Sequence, residues 1–291
     1  MVPYFCYPLT IAGIPLLLET ELLLPSEDAF QPFFGIDGDP TYRVIFHKVN
    51  ELPSLPESVI HTDRCFHLHP HPSGVMRSFF NAPKAEDIYA VGTYDYSARR
   101  IIIQYLEWGE EFLNELTTSF FHLGFDSLLI REQRLCIHSA FVRTKLGGIL
   151  FSGPSGIGKS TQAELWCRFR NAQLINGDRP ILSRSEAGWL GWGSPYAGSS
   201  KCYVNESCPV SAIVMLNQAS VCTLRRLTGA EAFRAVYACL TLNSWDREYI
   251  TTGSGLAMQL ATQVPVYQFY CTPDEQAVCC LEQGLLEDSI L

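Results

Sequence analysis

The stretch GGILFSGPSGIGKSTQAELWCRF, residues 147–169, contains the run that decides the fold, a G-x-x-x-x-G-K-S pattern from Gly153 to Ser160. An apolar segment precedes this run and an amphipathic segment follows it, which predicts a strand, a phosphate-binding loop and a helix. Glycines let main-chain N–H groups curl around phosphate oxygens at a helix N-terminus. The stretch therefore predicts a nucleotide site, with a chance glycine-rich turn as the alternative.

Nine consecutive residues form the predicted nucleotide-binding segment: Gly153, Pro154, Ser155, Gly156, Ile157, Gly158, Lys159, Ser160 and Thr161. In this motif the lysine reaches the β- and γ-phosphates, and the serine hydroxyl binds Mg²⁺. ATP and Mg²⁺ are therefore the predicted cofactors. A transport ATPase of the ABC type needs an LSGGQ-like run and an apolar strand ending in Asp-Glu, and this sequence contains neither.

Composition narrows the class of protein. The chain has 291 residues, 47% of them hydrophobic, which is enough for one large or two moderate domains. A formal net charge of −9 argues against a nucleic-acid partner. No apolar run approaches the roughly 20 residues of a membrane-spanning helix, so no membrane insertion is expected. Eleven scattered cysteines without a CxxC pair indicate reduced, buried thiols and a cytoplasmic location.

Two domains are expected along the chain. Residues 1–130 alternate short apolar runs with turn-forming residues and end in a segment of helical periodicity, which indicates a smaller, β-rich α+β domain. Its role is open, with substrate recognition as one option. Residues 131–291 alternate strands and helices, which indicates an α/β domain built on a mixed sheet.

A hairpin precedes the phosphate loop. Pairing Arg143 with Gly148 and continuing in antiparallel register places His138 opposite Gly153. His138 is therefore predicted beside the phosphates, where it can act on the proton of an acceptor. The alternative is a strand histidine without a chemical role.

Asp178 lies in LINGDRPIL, at the end of the strand that returns from the phosphate-loop helix. Mg²⁺ prefers hard oxygen ligands, and the end of such a strand is where a carboxylate ligand is expected. Asp178 and Ser160 are therefore the predicted metal ligands, and Asp178 is also a candidate to take the acceptor's proton. The alternative is an ordinary turn aspartate.

A second hairpin is predicted directly after Asp178. Pairing Ser185 with Gly188 sets Asp178 opposite Pro195 and carries GSPYAGSSK, residues 193–201, back to the site. Lys201 is then assigned a catalytic role, because a cation here can neutralise charge during transfer. Arg179 can serve instead, and the alternative for both is a solvated surface cation.

The segment CFHLHPHP, residues 65–72, has a cysteine and three histidines at alternate positions. These residues would share one face of a strand, so metal binding is conceivable. The two prolines favour an irregular, partly exposed edge strand instead.

Together, these features resemble the catalytic domain of HPr kinase/phosphorylase and its relatives, which share a core with phosphoenolpyruvate carboxykinases. The resemblance covers about residues 131–291 and rests on IHSAF, on the phosphate loop with its preceding hairpin, and on LINGDRP. It implies a mixed-sheet P-loop kinase core. It also implies a Mg-ATP-dependent transfer of the γ-phosphoryl group to a peptide, a protein or a small hydroxyl-bearing acceptor, with a serine of a peptide or protein preferred.

Two departures from that family matter. Its members commonly end the acidic strand with two aspartates, whereas Gly177 precedes Asp178 here, which leaves the general base open between His138 and Asp178. The glycine- and arginine-rich segment that HPr kinases use for HPr and for phosphorolysis has no counterpart, so neither is expected.

Alternative functions stay open at this point. The first is a non-catalytic ATP-binding sensor or peptide-binding module with a degenerate site. The second, a carboxykinase acting on oxaloacetate, lacks a recognisable additional metal site and a substrate arginine cluster. Oligomerisation is also left open by the sequence.

Overall fold

The computed structural model describes residues 4–25, 27–81 and 87–288. The chain divides into two compact units, Met1–Phe125 and Asp126–Leu291. The division precedes the expected boundary at Ile130 because Ile130 already packs in the hydrophobic core of the second unit. None of the described helices has both the length and the apolar character that crossing a membrane requires.

The first unit is built on an eight-stranded mixed sheet in the order β1-β2-β3-β8-β7-β6-β5-β4. Its strands are β1 (Phe5–Ile11), β2 (Ile14–Thr20), β3 (Tyr42–Lys48), β4 (His61–Thr62), β5 (Phe66–His71), β6 (Gly74–Phe80), β7 (Ile88–Asp95) and β8 (Arg100–Tyr105). Strand β3 runs parallel to both of its neighbours, and the other pairs are antiparallel. Helix α1 (Leu116–Leu123) follows, and helix α2 (Phe125–Arg131) spans the boundary between the units.

The histidines of residues 65–72 serve the packing of this sheet. The Nε2 atom of His69 lies 3.1 Å from Oγ of Ser78, and its Nδ1 lies 3.1 Å from the carbonyl oxygen of Pro56. The ring of His67 lies 4.8 Å from the ring of Phe80. Nowhere in the described ranges do three His, Cys, Asp or Glu side chains form a group that could hold a metal.

A buried polar network lies in the core of the first unit, centred on His122 of α1. Nδ1 of His122 lies 2.5 Å from the carbonyl oxygen of Thr118 and must donate to it, so Nε2, 2.7 Å away, accepts from the Tyr89 hydroxyl. The Tyr94 hydroxyl donates to the His122 carbonyl oxygen. Burial lowers the pKa of His122 to about 4, and the nearby positive charge of Arg77 acts in the same direction. This histidine is therefore neutral and fully hydrogen-bonded at pH 7.

The second unit is α/β, with a mixed nine-stranded sheet that runs β12-β10-β11-β15-β14-β13-β9 and continues from β15 to β17 and β16. Its strands are β9 (Arg134–Cys136), β10 (Ser139–Thr144), β11 (Gly147–Ser152), β12 (Gln173–Asn176), β13 (Ile181–Ser185), β14 (Gly188–Trp192), β15 (Ser207–Gln218), β16 (Thr223–Leu227) and β17 (Val266–Cys271). Its helices are α3 (Lys159–Arg170), α4 (Gly229–Tyr237), α5 (Arg247–Gln263) and α6 (Glu275–Asp288). The α/β class and the mixed sheet expected from the sequence are confirmed.

Helices cover both faces of this sheet. On one face Trp166 of α3, Leu281 of α6 and Phe151 of β11 belong to one buried cluster. On the other face Val236 of α4 and Leu260 of α5 belong to a second buried cluster. Strands β11, β15 and β17 are mutually parallel, so their carboxyl ends lie at one edge, where open α/β sheets bind their ligands.

Candidate active site

The glycine-rich loop joins the carboxyl end of β11 to the start of α3, as predicted. Gly156 and Gly158 have φ values of +78° and +113°, and no atom of the described residues lies within 4 Å of the position of a Cβ at either glycine. Glycine is favoured here by the backbone conformation and not by crowding. Among the described residues, no side chain caps the first turn of α3. The main-chain N–H groups at this helix start can therefore bind an anion.

Lys159 is the first residue of α3 and is nearly buried, with 9% of its surface exposed. Its Nζ donates to the carbonyl oxygens of Gly153 at 3.0 Å and Pro154 at 3.1 Å. Burial lowers the pKa of Lys159, and the negative charge of Asp178 opposes that change. The ammonium group thus lies against the first residues of the loop.

The structure confirms the predicted register of the first hairpin. Ser139 pairs with Ser152 and Thr144 pairs with Gly147, so His138 lies just beyond the last pair, beside the start of the loop. The main chain of His138 is held on both sides: its N–H donates to the Cys239 carbonyl oxygen at 2.8 Å, and its own carbonyl oxygen accepts from Oγ of Ser152 at 2.7 Å.

The imidazole of His138 faces Asp178. Nδ1 lies 2.9 Å from Oδ1 of Asp178, with the oxygen off the axis of the ring N–H, and 34% of the histidine side chain is exposed. Burial and the positive charge of Lys159 lower the pKa of His138, and Asp178 opposes them. His138 is therefore neutral at pH 7, and Nε2 has no hydrogen-bond partner among the residues that the structure describes.

Asp178 follows β12 in a turn that Asn176 organises. Oδ1 of the fully buried Asn176 accepts from the main-chain N–H groups of Asp178 at 2.9 Å and Arg179 at 2.7 Å. Nδ2 of Asn176 donates to the carbonyl oxygen of Ser194 at 3.2 Å, and the Asp178 carbonyl oxygen accepts from the Ser139 N–H at 3.0 Å. These bonds fix the main chain from which the Asp178 carboxylate projects.

The second hairpin also has its predicted register, with Ser185 opposite Gly188. The chain that follows returns to Asp178: a Cβ on Gly198 would lie 2.9 Å from the Asp178 Cβ. The same loop leaves no room beside Gly177, where a Cβ would lie 2.2 Å from Oγ of Ser200. A second acidic side chain is therefore excluded at this position in the present loop conformation.

Of the two cations named from the sequence, only Arg179 lies beside Asp178. Its Nε is 3.6 Å from Oδ2 of Asp178, and its Nη1 donates to the hydroxyl of Thr241. Lys201 is exposed at the end of a 3-10 turn, and within the described part of the chain its ammonium pairs with no acidic side chain. The structure thus brings Arg179 into the cluster in place of Lys201, whose catalytic role stays a prediction.

A cavity of about 490 Å³ opens beside the loop and was not predicted. Its lining comprises His138, Gly153, Pro154, Ile157, Met215, Leu216, Asn217, Ala235, Ala238, Cys239 and Gln268. The residues from β15, α4 and β17 belong to no motif. The signal that could have indicated them is the parallel order of β11, β15 and β17, which gathers their carboxyl ends beside the loop.

The donor set suits a hard divalent cation. Ser160 is exposed next to the loop, and 29% of the Asp178 side chain is exposed. A hydroxyl and a carboxylate are oxygen ligands of the kind that Mg²⁺ prefers in nucleotide sites.

Comparison with known proteins finds distant similarity among solved structures. No protein-family model matches the sequence, and no curated protein matches it. Among solved structures, the chain is similar to the Hpr(Ser) kinase/phosphatase from Coxiella burnetii, with 15% sequence identity and a TM-score of 0.35. The matched region covers 53% of this chain and 98% of that chain.

Proposed function

We propose that the second unit is a Mg-ATP-dependent phosphotransferase of the P-loop kinase type. It transfers the γ-phosphoryl group to a hydroxyl, preferably of a serine in a peptide or protein. The observation that carries this proposal is the convergence of His138 and Asp178, 2.9 Å apart, beside a glycine-rich loop that ends in Lys159. Phosphoryl transfer needs this combination of positioning, positive charge and a proton acceptor.

In this proposal, main-chain N–H groups within residues 155–161, after Pro154, hold the phosphates. Lys159 exchanges its two carbonyl partners for oxygens of the β- and γ-phosphates. Ser160 and Asp178 would hold Mg²⁺, which when bound would neutralise charge on the phosphate oxygens. Arg179 adds positive charge beside Asp178.

We assign to His138 the role of accepting the proton of the acceptor hydroxyl. Its Nδ1 faces the carboxylate, so Nε2 is the nitrogen available to accept that proton, and the nearby carboxylate stabilises the imidazolium that forms. The neutral state of His138 at pH 7 suits this role. Asp178 remains the other candidate base.

A second candidate function is an ATP-binding sensor without transfer activity. It is favoured by the single acidic residue at the end of β12 and by the Ser200 side chain that occupies the space next to Gly177. The two functions differ in whether bound ATP turns over.

The test is turnover of γ-labelled ATP with Mg²⁺ in the presence of a pool of N-acetylated seryl peptide amides. We expect ADP to form with the wild-type chain, and label to move to seryl peptides but not to the matching alanyl peptides. Binding of ATP with no more turnover than Asp178→Asn shows would support the sensor instead.

A further inference from the structure

The cavity beside the glycine-rich loop lies at the end of the loop where transfer takes place in the proposed reaction. Nζ of Lys159 rests on the carbonyl oxygens of Gly153 and Pro154, and both residues line the cavity. In this motif the lysine binds the β- and γ-phosphates, so this end of the loop faces the γ-phosphate. His138, the proposed proton acceptor, lines the same cavity. A group in this cavity would therefore meet both the γ-phosphate and the base.

The lining of this cavity has no side chain of fixed charge. It contains no lysine, arginine, aspartate or glutamate, and its apolar members include Ile157, Met215, Leu216 and two alanines of the α4 segment. A carboxylate brought into this space would lose its hydration without gaining a cationic partner from the lining, which is a large energetic cost. The lining favours a neutral acceptor over a hydroxy acid.

Two amides provide polar recognition within this neutral lining. Nε2 of Gln268 donates to the Met215 carbonyl oxygen at 3.3 Å and to Oδ1 of Asn217. Within the described ranges, Nδ2 of Asn217 and Oε1 of Gln268 have no hydrogen-bond partner of their own. One free donor and one free acceptor match the carbonyl and N–H of a peptide group.

We infer that this cavity is the acceptor site, and that it takes a seryl hydroxyl carried on a neutral peptide backbone while excluding free hydroxy acids. Asn217 and Gln268 bind the acceptor's amides, and the small side chains of Ala235 and Ala238 leave the width that the peptide needs. This inference rests on the proposed phosphotransferase function. It adds to that function the location of the acceptor and the residues that select it.

Filling the cavity tests its location. Ala238 is an exposed lining residue at the end of α4, so Ala238→Phe can narrow the cavity without disturbing the core. Ala230→Phe, at an exposed position in the first turn of α4, is the matched control. Melting temperatures establish that both variants fold.

For Ala238→Phe we expect transfer to N-acetyl-Gly-Ser-Gly amide to fall about tenfold or more, because each unfavourable contact of about 1.4 kcal/mol costs a factor of ten. Affinity for Mg-ATP, measured by calorimetry, should stay at the wild-type value. Equal transfer by the Ala238→Phe and Ala230→Phe variants would overturn the assignment. So would a loss of Mg-ATP affinity in Ala238→Phe alone, since the cavity would then hold nucleotide.

Acceptor class is tested with the wild-type chain and Asn217→Ala. We expect kcat/KM for N-acetyl-Gly-Ser-Gly amide to exceed that for free L-serine and for D-glycerate by about tenfold or more, and Asn217→Ala to lower only the peptide value. Glycerate or free serine accepted as well as the peptide would overturn the inference. Failure of the wild-type chain to bind Mg-ATP at all would instead refute the proposed function, which separates the two.

Discussion

Each unit of this molecule contains a neutral histidine near a cation, and the two histidines differ in what their ring nitrogens contact. In the first unit, His122 is fully buried, and both ring nitrogens have hydrogen-bond partners, Thr118 and Tyr89. In the second unit, His138 is one-third exposed, faces Asp178 through Nδ1 and leaves Nε2 free of the described residues. A histidine whose two ring nitrogens are both hydrogen-bonded is typical of a structural role. A histidine with one unbonded ring nitrogen beside a carboxylate is typical of a functional site.

The surroundings of the two cations reinforce this contrast. The guanidinium of Arg77 lies between the rings of Phe66 and Tyr94, 5.1 and 4.9 Å from their centroids. Among the described residues, the Lys159 ammonium donates hydrogen bonds to two carbonyl oxygens of its own loop, which phosphate oxygens can replace. Arg77 is thus fixed by packing, whereas the partners of Lys159 are exchangeable.

Asp178→Asn should have the largest effect on activity. The substitution removes the carboxylate that we assign to Mg²⁺ while keeping its size, so Mg-dependent turnover should fall by about 10³-fold. Turnover assays alongside thermal melting measure this. Glu186→Gln, at the exposed turn of the second hairpin, is the control and should leave turnover unchanged. Turnover at the wild-type rate in Asp178→Asn would show that Asp178 is not part of the active site.

His122→Ala should destabilise the first unit without a direct effect on the chemistry. It opens a cavity and leaves the Tyr89 hydroxyl without its partner, which together cost about 3 kcal/mol in the free energy of unfolding. Denaturant unfolding measures the loss. Turnover per folded molecule should match the wild type, and a specific loss of turnover would contradict the structural role.

His138→Ala should show the opposite pattern. We expect kcat to fall by about 10²-fold, because Nε2 no longer accepts the hydroxyl proton, while Mg-ATP affinity stays nearly unchanged. Single-turnover transfer to a seryl peptide, measured with thermal melting, separates this from a structural loss. Full activity per folded molecule in the variant would show that another group accepts the hydroxyl proton.

Stability of the first unit should fall as the pH is lowered below about 6.5. Unfolded His122 binds a proton near its ordinary pKa of 6.5, whereas folded His122 binds one only near pH 4. The unfolded state therefore binds more protons between these values, and the free energy of unfolding should drop by about 2 kcal/mol between pH 7 and pH 5.

Hydrogen exchange followed by mass spectrometry can resolve this effect by unit, using peptides from β6 and α1. The His122→Phe chain is the control, and its exchange should depend less on pH over the same range. An equal pH dependence in both chains would show that another group is responsible.

The sequence predicts the parts of the site that local rules determine. Both hairpin registers follow from turn residues, and they placed His138 beside the loop and residues 193–201 beside Asp178. The glycine-rich loop and its flanking strand and helix follow from a motif and from periodicity.

The remaining features depend on contacts between distant segments. The Cys239 carbonyl oxygen that holds His138 and the Thr241 hydroxyl that holds Arg179 come from the chain after α4 and carry no motif. The sequence predicts a catalytic role for Lys201 because this residue lies in the returning loop, yet its side chain is exposed there, and Arg179 lies beside Asp178. The buried network around His122 joins residues from β7 and α1, which periodicity alone cannot pair.

Calorimetric titration with Mg-ATP tests the central claim most directly, namely that the loop of the second unit is a nucleotide site. Wild-type chain and Lys145→Ala, an exposed control in the first hairpin's turn, should bind with equal affinity. Lys159→Ala should bind at least about tenfold more weakly, because it loses charge-assisted bonds worth about 1.5–3 kcal/mol. An Mg-ATP affinity in folded Lys159→Ala equal to that of the wild type would contradict the account.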